Sequence, residues 1–140
     1  VIDLLAEKWR EAASIKQIAL SIEVADHVTV AVDRLYLELM LDNLVNNAFK
    51  YGRENGHIYL TWKPESNALT VRDDGHGISP EHLPNLFNRF YRADEARSSA
   101  VKGSGLGLSI VKKLADVQQI TISAHSTPGE GSEFALCFPR

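Results

Sequence analysis

The chain has 140 residues, 44% of them hydrophobic and 24% charged, a balance that excludes disorder and collagen-like repetition and fits one soluble globular domain. Its formal net charge of -3 offers no global attraction to nucleic acid or to an anionic membrane, and no apolar run reaches the roughly 18 residues needed to span a bilayer. The lone Cys137 cannot form an internal disulfide; in the apolar stretch ALCF it reads as a buried, reduced thiol, which fits a cytosolic compartment.

In chain order, Ile2, Leu5, Trp9 and Ala12 or Ala13 recur at helical spacing and predict an amphipathic opening helix over residues 1–13. No methionine precedes Met40 and the chain opens inside this helical run, so a piece of a longer protein is expected. Alternation through Ile18, Leu20, Ile22 and Val24, then Val28, Val30 and Val32, predicts two short strands separated near Asp26 and His27. Asp33 reads as a helix cap for residues 34–51, where Leu37, Leu41, Leu44, Ala48 and Tyr51 form one wide apolar face.

GHIYLTWK and NALTVRD alternate around the turn formers of PESN and predict a β-hairpin. The region from Asp74 through ADEARSSAVKGSG has little periodicity and is expected to be mobile. LGLSIVKKLADVQQ returns to helical spacing, and TISAHS and SEFALCF close the chain as strands around TPGEG. Pattern alone gives a single two-layer α/β domain, its mixed, mostly antiparallel sheet covered by helices on one face.

Four stretches carry chemistry. On the long helix, Asn43 and Asn47 are one turn apart with Lys50 nearly above them, a polar stripe that is either a solvated edge or a seat for metal-bound polyphosphate. Amide oxygens are hard ligands for Mg2+, and a lysine adds point charge toward phosphate. In VRDDGHGI, Asp73 shares the face of Leu69 and Val71 and so leads off the apolar side, where an ionised carboxylate needs partners. Gly75 and Gly77 then permit either a simple capped turn or close approach of a flat ligand to the backbone. A fixed carboxylate there would accept the exocyclic amine of adenine and repel the carbonyl of guanine.

KGSGLGLSIVKK runs glycines straight into a helix start, where Gly103, Gly105 and Gly107 would let backbone N–H groups bind phosphate or serve as a flexible linker. Its G-x-G-x-G spacing after a polar loop is neither a Rossmann fingerprint nor a Walker A loop. In LFNRFYR the aromatics Phe87, Phe90 and Tyr91 read as a staple onto the core, leaving Arg89 and Arg92 to reach a γ-phosphate. The five histidines are scattered with no metal-ligand spacing.

In the order LDNLVNNAFKYG, VRDDGHGI, LFNRFYR, GSGLGLSIVKK, these stretches resemble the asparagine, first glycine, phenylalanine and second glycine boxes of sensor histidine kinases, specifically their catalytic and ATP-binding domain. The resemblance runs from about Val1 to Pro139 and implies the Bergerat α/β sandwich shared with gyrase, heat-shock chaperone and mismatch-repair ATPases. It implies that Asn47, helped by Asn43, holds Mg2+, that Lys50 contacts phosphate and that Tyr51 flanks the nucleotide. Asp73 would bind the adenine amine, Gly75, Gly77 and Ile78 would shape the base pocket, and Ser132 would place a hydroxyl near the base. Arg92 and Arg89 would reach the γ-phosphate, with Gly103, Gly105, Leu106, Gly107 and Leu108 contacting the nucleotide beneath a lid over residues 93–103.

ATPases of the wider group resemble one another in placing a glutamate one turn before the box asparagine, where it activates water. Here that residue is Asn43, with Asp42 about 100° away around the helix. Phosphoryl transfer to a separate acceptor is therefore expected over self-contained hydrolysis. The resemblance further implies ATP and Mg2+ as cofactors and a histidine-containing dimerisation domain of the same protein as acceptor. It also implies a response regulator downstream, a cytoplasmic location as part of a membrane-bound sensor, and a monomeric state for this stretch alone. Two alternatives stand beside it, a noncatalytic adenine-nucleotide-binding module and an anti-sigma-type serine kinase of the same fold. Two departures from the family pattern are notable: VQQI replaces a glycine-containing turn and predicts an altered end to the last helix, and Asn88 replaces a commonly acidic residue.

Overall fold

The computed structural model describes residues 2–24, 30–51, 53, 55–87 and 107–139, with the backbone alone for residues 2–4, 51 and 107. The elements run α1 (Ile2–Lys16), β1 (Ala19–Glu23), α2 (Arg34–Tyr51), β2 (His57–Lys63), β3 (Ala68–Asp73), a 3-10 turn (Leu83–Asn85), α3 (Gly107–Val117), β4 (Thr121–Thr127) and β5 (Gly131–Cys137). The five strands form one sheet in the order β1-β2-β3-β5-β4. Only β1 and β2 are parallel; every other pair is antiparallel, as the alternating patterns predict.

Register explains which side of the sheet the helices cover. Leu60, Val71, Phe134 and Ala124 stand opposite one another across four strands, followed by Trp62, Leu69, Leu136 and Ile122. Against these pack Met40, Leu41, Leu44 and Val45 of α2, Val111 and Ala115 of α3, and Trp9 and Ala13 of α1. Leu37, Leu41, Leu44 and Ala48 are all buried, so the predicted face of α2 is the one that meets the core. Asp33 caps that helix, its Oδ1 accepting the N–H groups of Leu35 at 3.0 Å and Tyr36 at 3.3 Å. Among the described residues no helix is long and apolar enough to cross a membrane.

Of the two strands expected before α2, the described residues contain the first, β1. Residues 25–29 lie outside the described residues, and residues 30–33 are not strand. Val30 and Val32 instead rest half-buried against the core, and the N–H of Asp33 donates to Gln118 Oε1 at 2.8 Å. Alternate apolar residues can thus be satisfied by packing alone, without a ladder partner.

The end of α3 also differs from expectation. Gln119 adopts φ +59° and Ile120 N–H donates to Ala115 O at 2.8 Å, so a Schellman-type cap forms without a glycine. Gln17 does the same after α1, with φ +57° and an Ile18 N–H to Ala13 O bond of 2.8 Å. Each cap places the following isoleucine in the core, and burial of Ile18 and Ile120 offsets the cost of the left-handed glutamine.

Candidate functional site

The candidate site is built on the C-terminal half of α2, the end of β3 with the loop that follows it, the β4–β5 hairpin and the start of α3. Asn43 and Asn47 are half-buried and Lys50 is exposed, one turn after another on α2. Asn43 Nδ2 donates to Leu39 O at 2.7 Å, which commits the nitrogen end of the amide to the helix and leaves its oxygen end as the acceptor. Adjacent Asp42 faces elsewhere: its carboxylate accepts Trp9 Nε1 at 3.2 Å and pairs with Lys8 Nζ at 3.0 Å, tying α1 to α2.

Asp73 closes β3 and is 5% exposed. Its Oδ1 accepts the Gly75 N–H at 2.9 Å, and the Ser132 backbone N–H, on the residue paired with it across the ladder, also faces the carboxylate. Burial pushes the Asp73 carboxyl above its ordinary range. The Gly75 bond opposes that shift, neighbouring Asp74 adds to it, and the Ser132 N–H and His76 oppose it more weakly. A buried carboxylate with neither arginine nor lysine among these influences is costly, and such groups concentrate where a ligand donor completes the set.

The loop after Asp73 is held by the β4–β5 hairpin at three places. Ile78 N–H donates to Ser126 Oγ at 2.6 Å, and Gly129 N–H donates to His76 O at 2.7 Å. Gly77, at φ +75°, lies flat on the hairpin, where a Cβ would overlap the carbonyl of Thr127. Gly131, at φ +127°, fits against the Asp73 carbonyl under the same restriction. Arg53, two residues beyond α2, donates to Gly129 O and so joins the end of the amide-bearing helix to the same hairpin. Phe87 packs edge-on against Phe134 with ring centroids 6.3 Å apart, the anchoring expected of it, while Phe90 and Tyr91 lie outside the described residues.

Of the residues singled out from sequence, Asp73, Gly75, Gly77, Ile78 and Ser132 come together around this loop. Asn43, Asn47 and Lys50 share α2 with the backbone of Tyr51, while Gly107 opens α3 and Leu108 packs half-buried against the core. The tail of α3 meets the head of α2 through the Asp33–Gln118 bond, so α3 starts from the opposite end of the pair. Arg89, Arg92, Gly103, Gly105, Leu106, Asn88 and the stretch 93–103 lie outside the described residues. Ser126, Arg53 and Gly131 were not singled out. Ser126 carried a readable signal, since Ile122, Ala124 and Ser126 share one face of β4 and a hydroxyl on a core-facing register needs a partner.

A mixed sheet covered on one face by helices, with a buried carboxylate before a glycine loop and an amide stripe on the central helix, defines a nucleotide-binding ATPase-type domain. Residues 32–140 match the family described as histidine kinase-, DNA gyrase B- and HSP90-like ATPase, and the chain belongs to that family. It is 41% identical over 113 residues to the sensor histidine kinase YkoH of Bacillus subtilis, covering 81% of this chain and 25% of that protein. It is 35% identical over 141 residues to the sensor-like histidine kinase SenX3 of Mycobacterium tuberculosis, covering 99% of this chain and 34% of that protein. The chain thus spans between a quarter and about a third of the length of these relatives. Among solved structures, the mycobacterial sensor histidine kinase MprB superposes with a TM-score of 0.83 at 27% identity, covering 99% of this chain and 92% of that one. The catalytic domain of histidine kinase ThkA gives the same score and identity, covering 99% and 90%.

Proposed function

We propose that this chain is the ATP-binding catalytic domain of a sensor histidine kinase and transfers the γ-phosphoryl group of ATP to a histidine on a separate dimerisation domain of the same protein. The observation that carries the kinase reading is the state of Asn43 and Asp42. Asn43 has no base to offer and its nitrogen is bonded to Leu39 O, while the Asp42 carboxylate is held by Trp9 and Lys8. With no carboxylate poised to activate water on this turn of α2, hydrolysis is disfavoured and the phosphoryl group goes to an external nucleophile.

In this reading Asp73 accepts the adenine amine, with Gly75, Gly77 and Ile78 forming the wall of the base pocket and the Ser132 hydroxyl at its edge. Asn47 and the Oδ1 of Asn43 hold Mg2+, a fit supported by the amide nitrogen already being committed to Leu39 O. Bound Mg2+ would offset phosphate charge and orient the polyphosphate. Lys50, Arg89, Arg92 and the glycines 103, 105 and 107 contact phosphate, and Tyr51, Leu106 and Leu108 flank the nucleotide. Placement in the cytoplasm, transfer onward to a response regulator and a monomeric state for this stretch belong to the same proposal; the relatives' names, sensor histidine kinases, support the kinase reading itself.

The test is incubation of the chain with γ-labelled Mg·ATP and a histidine-containing dimerisation domain from the same protein. Acid-labile label on that domain is expected. Binding without transfer to the cognate acceptor would make the chain a noncatalytic nucleotide-binding module, and acid-stable label on serine would make it a serine kinase.

A further inference from the structure

The base loop is held in place by a residue on the far hairpin. Ser126 Oγ makes three polar contacts: it accepts the Ile78 N–H at 2.6 Å, donates to Gly131 O at 2.9 Å, and lies 3.1 Å from Ser132 Oγ. A serine hydroxyl has one proton and two acceptor lone pairs. Since an amide N–H can only donate and a carbonyl can only accept, the assignment that satisfies all three contacts has Ser132 donating to Ser126. The proton of Ser132 is then committed inward, and its oxygen presents only lone pairs to anything else.

Two acceptors therefore lie side by side at the end of the sheet, Asp73 and Ser132, on residues paired directly across β3 and β5. Their edge suits a donor and opposes a carbonyl. Were Ser132 free to rotate, it could turn its proton outward and satisfy a carbonyl-bearing base, which would weaken the discrimination that Asp73 provides alone.

We propose that Ser126 is a positioning and specificity-determining residue of the base site: it anchors the loop backbone at Ile78 and fixes Ser132 as an acceptor, so that the site selects a 6-amino purine over a 6-oxo purine. This rests on the reading of Asp73 and its neighbours as the adenine pocket. It adds a polar chain, Ile78 N–H to Ser126 to Gly131 O with Ser132 donating in, that neither touches the base through Ser126 nor depends on the lid.

The experiment is calorimetric titration of Mg·ADP and Mg·GDP into the wild-type chain and into Ser126→Ala, Ser126→Thr and Ser132→Ala variants, with thermal melts of each. Loss of one neutral hydrogen bond at the loop corresponds to roughly 3- to 10-fold weaker ADP binding in Ser126→Ala. GDP binding should be unchanged or tighter, so the ADP-to-GDP preference falls. Ser126→Thr retains the hydroxyl and should keep the wild-type preference, and Ser132→Ala should keep preference through Asp73 while making it insensitive to a further Ser126→Ala change. A merely structural role for Ser126 would lower the melting temperature and both affinities in parallel, leaving the preference constant, and that result overturns the proposal. If wild type prefers ADP and Ser126→Ala prefers it equally, the proposal alone is wrong. If wild type binds without preferring ADP, the adenine reading fails and takes this inference with it.

Discussion

The indole Nε1 of Trp9 donates to Asp42 Oδ1 at 3.2 Å, joining two helices 33 residues apart in sequence at the position next to Asn43. Trp9 is almost fully buried, so its N–H has no recourse to water if the carboxylate is lost. Lys8 completes the arrangement from the exposed side, where an ion pair adds little.

Asp42→Ala should therefore destabilise the chain by about 1–3 kcal/mol, the cost of a buried donor left without an acceptor. Asp42→Asn keeps an oxygen for the indole and gives up only the exposed lysine pair, so it should cost under about 1 kcal/mol. Urea denaturation followed by tryptophan fluorescence measures both. Phosphotransfer by the folded Asp42→Asn protein should match wild type, because Asp42 is a structural tie and not a base; a large loss of transfer at full nucleotide occupancy would contradict that role.

Gln119→Gly should stabilise the chain by about 1 kcal/mol, since the left-handed conformation costs an ordinary residue about that much and glycine nothing. The native φ of +59° and the Ile120 to Ala115 bond stay as they are. A thermal melt reads the gain, and a loss would mean that the glutamine side chain contributes more than its backbone costs.

Gly131→Ala should be among the most damaging single substitutions at the site. Its φ of +127° is closed to alanine without strain, and the new methyl would overlap the backbone of Asp73 and Asp74. The expected cost is about 2–4 kcal/mol, with nucleotide binding lost first because the displaced strand carries Asp73. Chemical denaturation alongside ADP titration separates the two effects.

The pH dependence follows from the raised Asp73 carboxyl. Between the ordinary carboxylate value and the higher native one, the folded chain holds a proton that the unfolded chain has released, so the contribution of this group to stability falls as pH rises through that window. Binding has the opposite sign. An adenine amine needs the ionised acceptor, so affinity for ADP should rise with pH through the native Asp73 value and level off above it. Calorimetry across the mildly acid range checks this, and Asp73→Asn should remove the step.

Much of this arrangement was legible in the sequence because its determinants are local. Leu37, Leu41 and Leu44 mark the buried face of α2, Asp33 marks its start, and alternation through Leu69 and Val71 delivers Asp73 to the core side of β3. The second strand expected before Asp33 was not found in the described residues because Val30 and Val32 are half-buried by packing without a ladder. The altered helix end did not materialise because Gln119 bears the left-handed conformation itself. Ser126 was legible only in part. Its core-facing register in β4 calls for a partner, but that partner, Ile78, is 48 residues away and only the folded sheet brings it to the hydroxyl.

Selection of adenine by Asp73, as proposed above, is tested by titration of Mg·ADP and Mg·GDP into wild type and Asp73→Asn at neutral pH. Wild type should bind ADP in clear preference to GDP, and Asp73→Asn, which retains an oxygen for the Gly75 N–H and so remains folded, should lose roughly 10- to 100-fold in ADP affinity, the worth of a hydrogen bond to a charged group. Equal binding of the two nucleotides by wild type, or an Asp73→Asn protein that is folded and binds ADP as well as wild type, would contradict it.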